Sequence, residues 1–280
     1  MLHLIIQSYF NLKKHMKNTI RAIFFLLMAT AIMSGCKKHK NDPAPSVVET
    51  APLSFHLHTY IGETEVDAYN IVYRDDNNRK ISLSRAQLYI SNIELVKYDG
   101  SIYNVDGVIL SVKQDNEVYS VANVPVGNYK SVNFYVGIDS VQNAQVASGN
   151  SPLNDSTMWF NKTAQPNGYI FMSCIGKVDT TAAMNASDAD MTPFTYNIGM
   201  NVQLKKVSMP VQNYTVALNT TTFIHMTMDY AQLFDGVNLL DQSNLSITSE
   251  SDNTWTGSGG TWPISVQVGA NIPKMFKYEN

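Results

Sequence analysis

Apolar residues recur at every second position in short runs along most of this chain, and Gly, Asn and Asp gather between the runs. That period marks half-buried β-strands closed by turns. In LSFHLHTYIG it puts Leu53, Phe55 and Leu57 on one face and His56, His58 and Tyr60 on the other. VNFYVGID repeats the pattern with Val132, Phe134, Val136 and Ile138. Further strands are predicted in SRAQLYISNIELVKYDG, GYIFMSCIGKV, FTYNIGMNVQL, YTVALNT and TTFIHMTMDY, and Asp-Gly pairs starting at Asp99, Asp106 and Asp235 predict turns. Helical spacing is confined to Tyr230–Leu240. The Ser-, Thr- and Gly-rich stretch after Gln242 reads as a loop carrying Trp255 and Trp262, and the closing ISVQVGANIPKMFKYEN supplies apolar residues to cap the domain. Seven or more short strands with turns this frequent predict an all-β fold, an antiparallel β-sandwich or barrel-like single domain over residues 52–280.

Composition narrows the picture. With 44% hydrophobic and only 15% charged residues, the chain is neither disordered nor a coiled coil, and its 15 Tyr and 11 Phe favour strands. The net charge of -3 is unevenly spread. Residues 1–35 hold Lys13, Lys14, Lys17 and Arg21 and no acid, so removing those four positive charges leaves -7 and no basic surface for nucleic acid.

The basic start is an export address. From Met16, with residues 1–15 read as preceding the true start, two positive charges lead into an apolar run from Ala22 to Met33 and then small residues, the build of a secretory signal peptide spanning 1–35. Met-Ser-Gly-Cys ending at Cys36 resembles the lipobox of bacterial lipoproteins, which implies that Cys36 is lipid-modified. Residues 36–51 then form a Pro-rich tether to the membrane. The location implied is the bacterial cell envelope, at the outer membrane, facing the periplasm or the surface. Cys174, in an apolar strand, is left without a disulfide partner and reads as a buried thiol.

Familiar catalytic motifs are missing: there is no Gly-rich phosphate loop, nucleophile elbow, HExxH or Cys-x-x-Cys, so an enzyme is not expected. The arrangement with chemical content is His56-Leu57-His58. Residues two apart on a strand share a face with Cα atoms about 6–7 Å apart, close enough for two imidazoles to hold one Cu or Zn ion with a third ligand from elsewhere. Two solvent-facing histidines opposite an apolar strand face fit the same spacing without a metal. His225 lies with Thr227 and Asp229 on the face opposite Ile224, Met226 and Met228. Met172, Met226, Met228 and Cys174 are soft donors that also suit a core.

Several segments, in order, resemble the MbnP-like copper-binding proteins. They are LSFHLHTYIG, LYISNIELVKYDG (Leu88 to Gly100), VPVGNYKSVNFYVGIDSVQN (Val124 to Asn143), MWF with NGYIFMSCIG, FTYNIGM, the strand ending at Asp229, and ANIPKMF. The resemblance implies an exported all-β domain holding one copper ion through histidines and a kynurenine made from tryptophan by a di-haem peroxidase of the MauG type. Trp159 is the residue matched to that tryptophan, and His225 or a Trp159-derived kynurenine would complete the set begun by His56 and His58. Two departures stand out: KTAQPN intervenes before Gly168, and Asn197 stands where many members have histidine. The alternative implied by Asn197 is a metal-free surface adhesin or glycan-binding lipoprotein using Trp255 and Trp262.

Overall fold

The computed structural model describes residues 48–161, 168–254 and 263–279. The expected signal peptide, Cys36 and the tryptophans Trp255 and Trp262 lie outside them. Strand structure begins two residues before the expected boundary: Ala51 is buried, and Val126 N–H donates to the Glu49 carbonyl.

In chain order the strands are β1 (Thr50–Ile61), β2 (Thr64–Glu65), β3 (Val72–Arg74), β4 (Lys80–Lys97), β5 (Ile102–Lys113), β6 (Val118–Pro125) and β7 (Gly127–Val136). They continue with β8 (Ile170–Val178), β9 (Thr192–Gly199), β10 (Lys205–Ser208), β11 (Tyr214–Val216), β12 (Thr222–Asp229), β13 (Ser246–Ile247) and β14 (Phe276–Tyr278). One sheet runs β14-β12-β1-β2, with β6 also paired to β1. The other runs β10-β7-β4-β8-β9-β13, with β3 and β5 on β4 and β11 on β7. The fold is therefore all-β and sandwich-like, as the alternation predicts. Its sheets are mixed, however, because β1–β12 and β9–β13 are parallel. A parallel pair needs a long crossover, and between β1 and β12 most of the domain supplies it.

The two sheets bury their facing sides. Leu53, Phe55 and Leu57 of β1 and Ile224, Met226 and Met228 of β12 enter one core with Leu88, Ile90, Phe134, Met172 and Cys174. Phe55 and Phe134 meet at 6.0 Å, and Phe134 stands edge-on to Phe276 at 5.0 Å. Each such side chain contributes about 1.5–3 kcal/mol by leaving water. The methionines and Cys174 are core residues, and burial pushes the Cys174 thiol up. The second sheet is covered on its other face as well. Tyr89 and Phe171, which alternate with Leu88 and Met172, form a separate cluster with Ile138, Leu153, Met158 and Tyr169.

Local signals were realised unevenly. Asp99-Gly100 closes the β4–β5 hairpin, with Gly100 at φ +88°, and Asp235-Gly236 lies in a turn. Asp106-Gly107 does not turn the chain. Ser91 pairs Ile109 while Ile93 pairs Val105, so the three residues between bulge opposite Asn92. Tyr230–Phe234 is a single 3-10 stretch rather than a longer helix. The stretch read as a loop after Gln242 contains a 3-10 turn, β13 and a capped helical turn, Glu250–Asn253. The C-terminal segment forms a helix, Ile264–Asn271, and then adds β14 as an edge strand instead of only capping the core. Among the described residues no helix is long and apolar enough to cross a membrane.

Candidate metal centre

β1 has two neighbours along its length, β12 on one side and β6 with β2 on the other. Because Phe55 and Leu57 point inward, His56 and His58 point outward from the same strand. β12 runs parallel to β1 with His225 directly beside His56. The three histidines of the described residues thus converge on one outer face: ring centroids are 4.3 Å apart for His56–His58 and 4.8 Å for His56–His225.

Carboxylates reach this face from three further segments. Gly62, at φ +60°, reverses the chain after β1 where a Cβ would meet Asp76 and the Arg74 carbonyl, so Glu65 pairs with Tyr60 and stands diagonal to His58. Its Oε1 lies 2.5 Å from His58 Nδ1. Glu117 precedes β6, where its carbonyl accepts from Leu57 N–H, and places Oε2 3.3 Å from His56 Nε2 and Oε1 3.9 Å from His58 Nδ1. Glu279 follows β14; its N–H donates to the His225 carbonyl, and its Oε2 sits 3.3 Å from His225 Nδ1 and 3.8 Å from His58 Nε2. Glu65, Glu117 and Glu279 are ligand-class residues that reading the sequence missed. Alternation does not find them: Glu65 shares the Tyr60 face only through the antiparallel pairing across the Gly62 turn, and Glu117 and Glu279 are delivered by strand ends.

The closest nitrogen pair is His56 Nδ1 and His225 Nδ1 at 3.0 Å. Two nitrogens each about 2.0–2.1 Å from one ion lie about 2.9–3.4 Å apart for cis to tetrahedral angles, so this pair fits a shared metal. Two groups of donors fall within 4.8 Å of one another: His56 with His225 and Glu279, and His56 with His58 and Glu117. Partly exposed ion pairs of this kind add only about 0–1 kcal/mol each to stability. Six converging imidazole and carboxylate groups are therefore poorly explained as a device for holding the fold.

Asp229, grouped with His225 by alternation, turns inward instead. It accepts from Gly62 N–H at 2.9 Å, Ala231 N–H at 3.0 Å and Gln232 Nε2 at 2.8 Å, and burial pushes its carboxyl up despite those bonds. Its role is to tie the β1–β2 turn to the end of β12.

Trp159 is not brought to the histidines. It bridges Tyr169 and donates its indole N–H to the Leu153 carbonyl at 2.9 Å, packed on the cluster that covers the outer face of the second sheet. Asn197 belongs to that same face, its Oδ1 accepting from Ser173 Oγ at 2.8 Å. Two sheets and the core between them, about 10 Å sheet to sheet, separate both residues from the three histidines. A kynurenine at Trp159 is thus not a ligand for an ion at His56.

Fold and site together define an all-β protein with a histidine- and carboxylate-lined outer face able to hold a metal ion. The chain belongs to the MbnP family: the family model MbnP matches residues 50–252. Among solved structures, MbnP from Methylosinus trichosporium matches with a TM-score of 0.45 and 14% sequence identity, over 67% of this chain and 78% of that one. No curated protein matches the chain.

Proposed function

We propose that this chain is a lipid-anchored binding protein of the bacterial envelope that takes a copper ion at His56, His58 and His225. Family membership supports a copper-linked role, and the sequence supports export and lipidation at Cys36. The observation that carries the reading is the His56–His225 nitrogen pair at 3.0 Å with Glu279 beside it. In this reading His56 Nδ1, His225 Nδ1 and the Glu279 carboxylate hold the ion. His58 Nε2, close to Glu279, is the fourth donor, its Nδ1 proton held by Glu65 in the manner of a carboxylate orienting a ligating imidazole. Copper would supply a positive centre that offsets part of the charge of the clustered carboxylates.

The role proposed is binding rather than catalysis. A di-haem peroxidase acting on Trp159 would work on the opposite side of the domain and leave this donor set unchanged. Titration of the purified protein with copper against a competing chelator tests the reading, with His56→Ala and His225→Ala as controls. Stoichiometric binding lost in both variants supports it. A wild-type chain that stays copper-free would overturn it and favour the metal-free adhesin or glycan-binding alternative.

A further inference from the structure

His56 is unusual within the site because both of its ring nitrogens face potential ligands, and the two sets differ. Nδ1 looks toward His225 and Glu279, while Nε2 looks toward Glu117. The two donor groups within metal-binding range share His56 and nothing else. The two nitrogens of one imidazole point away from each other, so a single ion cannot use both. Glu117 in turn splits its oxygens, Oε2 toward His56 Nε2 and Oε1 toward His58 Nδ1, as an oxygen ligand placed between two nitrogens would.

Charge points the same way. Glu65, Glu117 and Glu279 bring three negative charges to the face. One divalent ion among neutral imidazoles leaves an excess of one negative charge, and one Cu(I) leaves two. Two divalent ions bring four positive charges, which three carboxylates and one imidazolate balance. Imidazole and carboxylate together suit borderline divalent ions such as Cu(II) and Zn(II), whereas Met172, Met226, Met228 and Cys174, soft donors that would favour Cu(I), lie in the core.

From this geometry we propose that the site is dinuclear, with His56 bridging two divalent ions as an imidazolate. This rests on the metal-binding reading above and extends it, with one change: His58 passes from the first ion, which it met through Nε2, to the second, which it meets through Nδ1. The first ion takes His56 Nδ1, His225 and Glu279. The second takes His56 Nε2, His58 Nδ1 and Glu117, with the Glu65 oxygen at His58 Nδ1 within reach as a further ligand. On binding the second ion, His56 gives up its remaining ring proton to water, and His58 keeps one proton, on Nε2 near Glu279. Both ions stay divalent throughout, so no oxidant or reductant is involved.

The test is a Cu(II) titration of the full-length protein, following bound metal by elemental analysis and the electron paramagnetic resonance signal by double integration. The expected result is two Cu(II) per chain, with the signal growing through the first equivalent and falling through the second as the spins couple across the ring. Glu117→Gln alters a half-exposed residue ahead of β6 and is expected to leave one uncoupled ion; ions held at His3, His15 or His39 would survive that change and are told apart by it. If Glu117 only orients His56, the same variant weakens binding about 10- to 100-fold without changing stoichiometry, which overturns the dinuclear site. One ion at this face in the wild type, or two with undiminished signal, overturns it too while leaving the single-ion reading in place. No bound ion overturns both.

Discussion

Nδ1 of His56 and Nδ1 of His225 stand 3.0 Å apart because β1 and β12 run parallel with the two residues in direct register. Residues paired in this way share a face, so an outward histidine on each strand necessarily meets the other. His225→Ala is therefore expected to weaken copper binding as much as His56→Ala does. Losing a ligand should exceed the ~10- to 100-fold cost typical of losing a group that merely orients one. Chelator competition on the two variants checks this; His225→Ala binding as tightly as wild type would remove β12 from the site.

Glu279 depends on β14 for its position, so its contribution is separable from the histidines. Glu279→Gln keeps the shape and removes the charge, and should lower affinity by about 10-fold or more with unchanged far-ultraviolet circular dichroism. An unaltered affinity would show that the C-terminal carboxylate is a bystander.

Trp159 and the histidines occupy outer faces of different sheets. Trp159→Phe should therefore leave copper affinity within about two-fold of wild type, by additivity of distant sites. A large loss in the variant would mean that the indole, or an oxidation product of it, reaches the metal after all.

Phe55 lies on the inward face of β1, fully enclosed and in contact with Phe134 of the edge-on Phe134–Phe276 pair. Phe55→Ala should cost about 3–5 kcal/mol, read as a lower urea midpoint. A loss under about 1 kcal/mol would contradict the tight packing described.

Asp155 caps the 3-10 turn Ser156–Met158 ahead of Trp159. Partial burial alone would raise its carboxyl, but hydrogen bonds from Thr157, Gln87 and Lys113 outweigh that and hold it well below the usual range. A carboxyl depressed in the folded state stabilises at neutral pH, and that contribution is lost as pH falls from about 5 through the folded-state value. Asp155→Asn should thus cost about 1–2 kcal/mol at pH 7 and somewhat less at pH 3, where only part of the contribution has been lost. Urea midpoints for both proteins at the two pH values check the sign.

Alternation in β1 and β12 was enough to place His56, His58 and His225 outside and Leu53, Leu57, Met226 and Met228 inside, because side-chain direction in a strand is a local, two-residue property. Turn chemistry was legible where a reversal was needed, at Gly100 and Gly236, and misleading at Asp106-Gly107, where the same positive-φ requirement serves a bulge. Trp159 was harder to place because the second sheet is covered by apolar residues on both faces, which erases the inside-outside contrast around Tyr89 and Phe171.

By itself, then, the sequence determined the all-β fold and which face of each strand carries imidazole. Only the tertiary structure decided that three histidines and three glutamates share one face. Which strands become neighbours, and in what register, is settled by long-range packing of the two sheets. Period-two spacing says nothing about a partner 169 positions away.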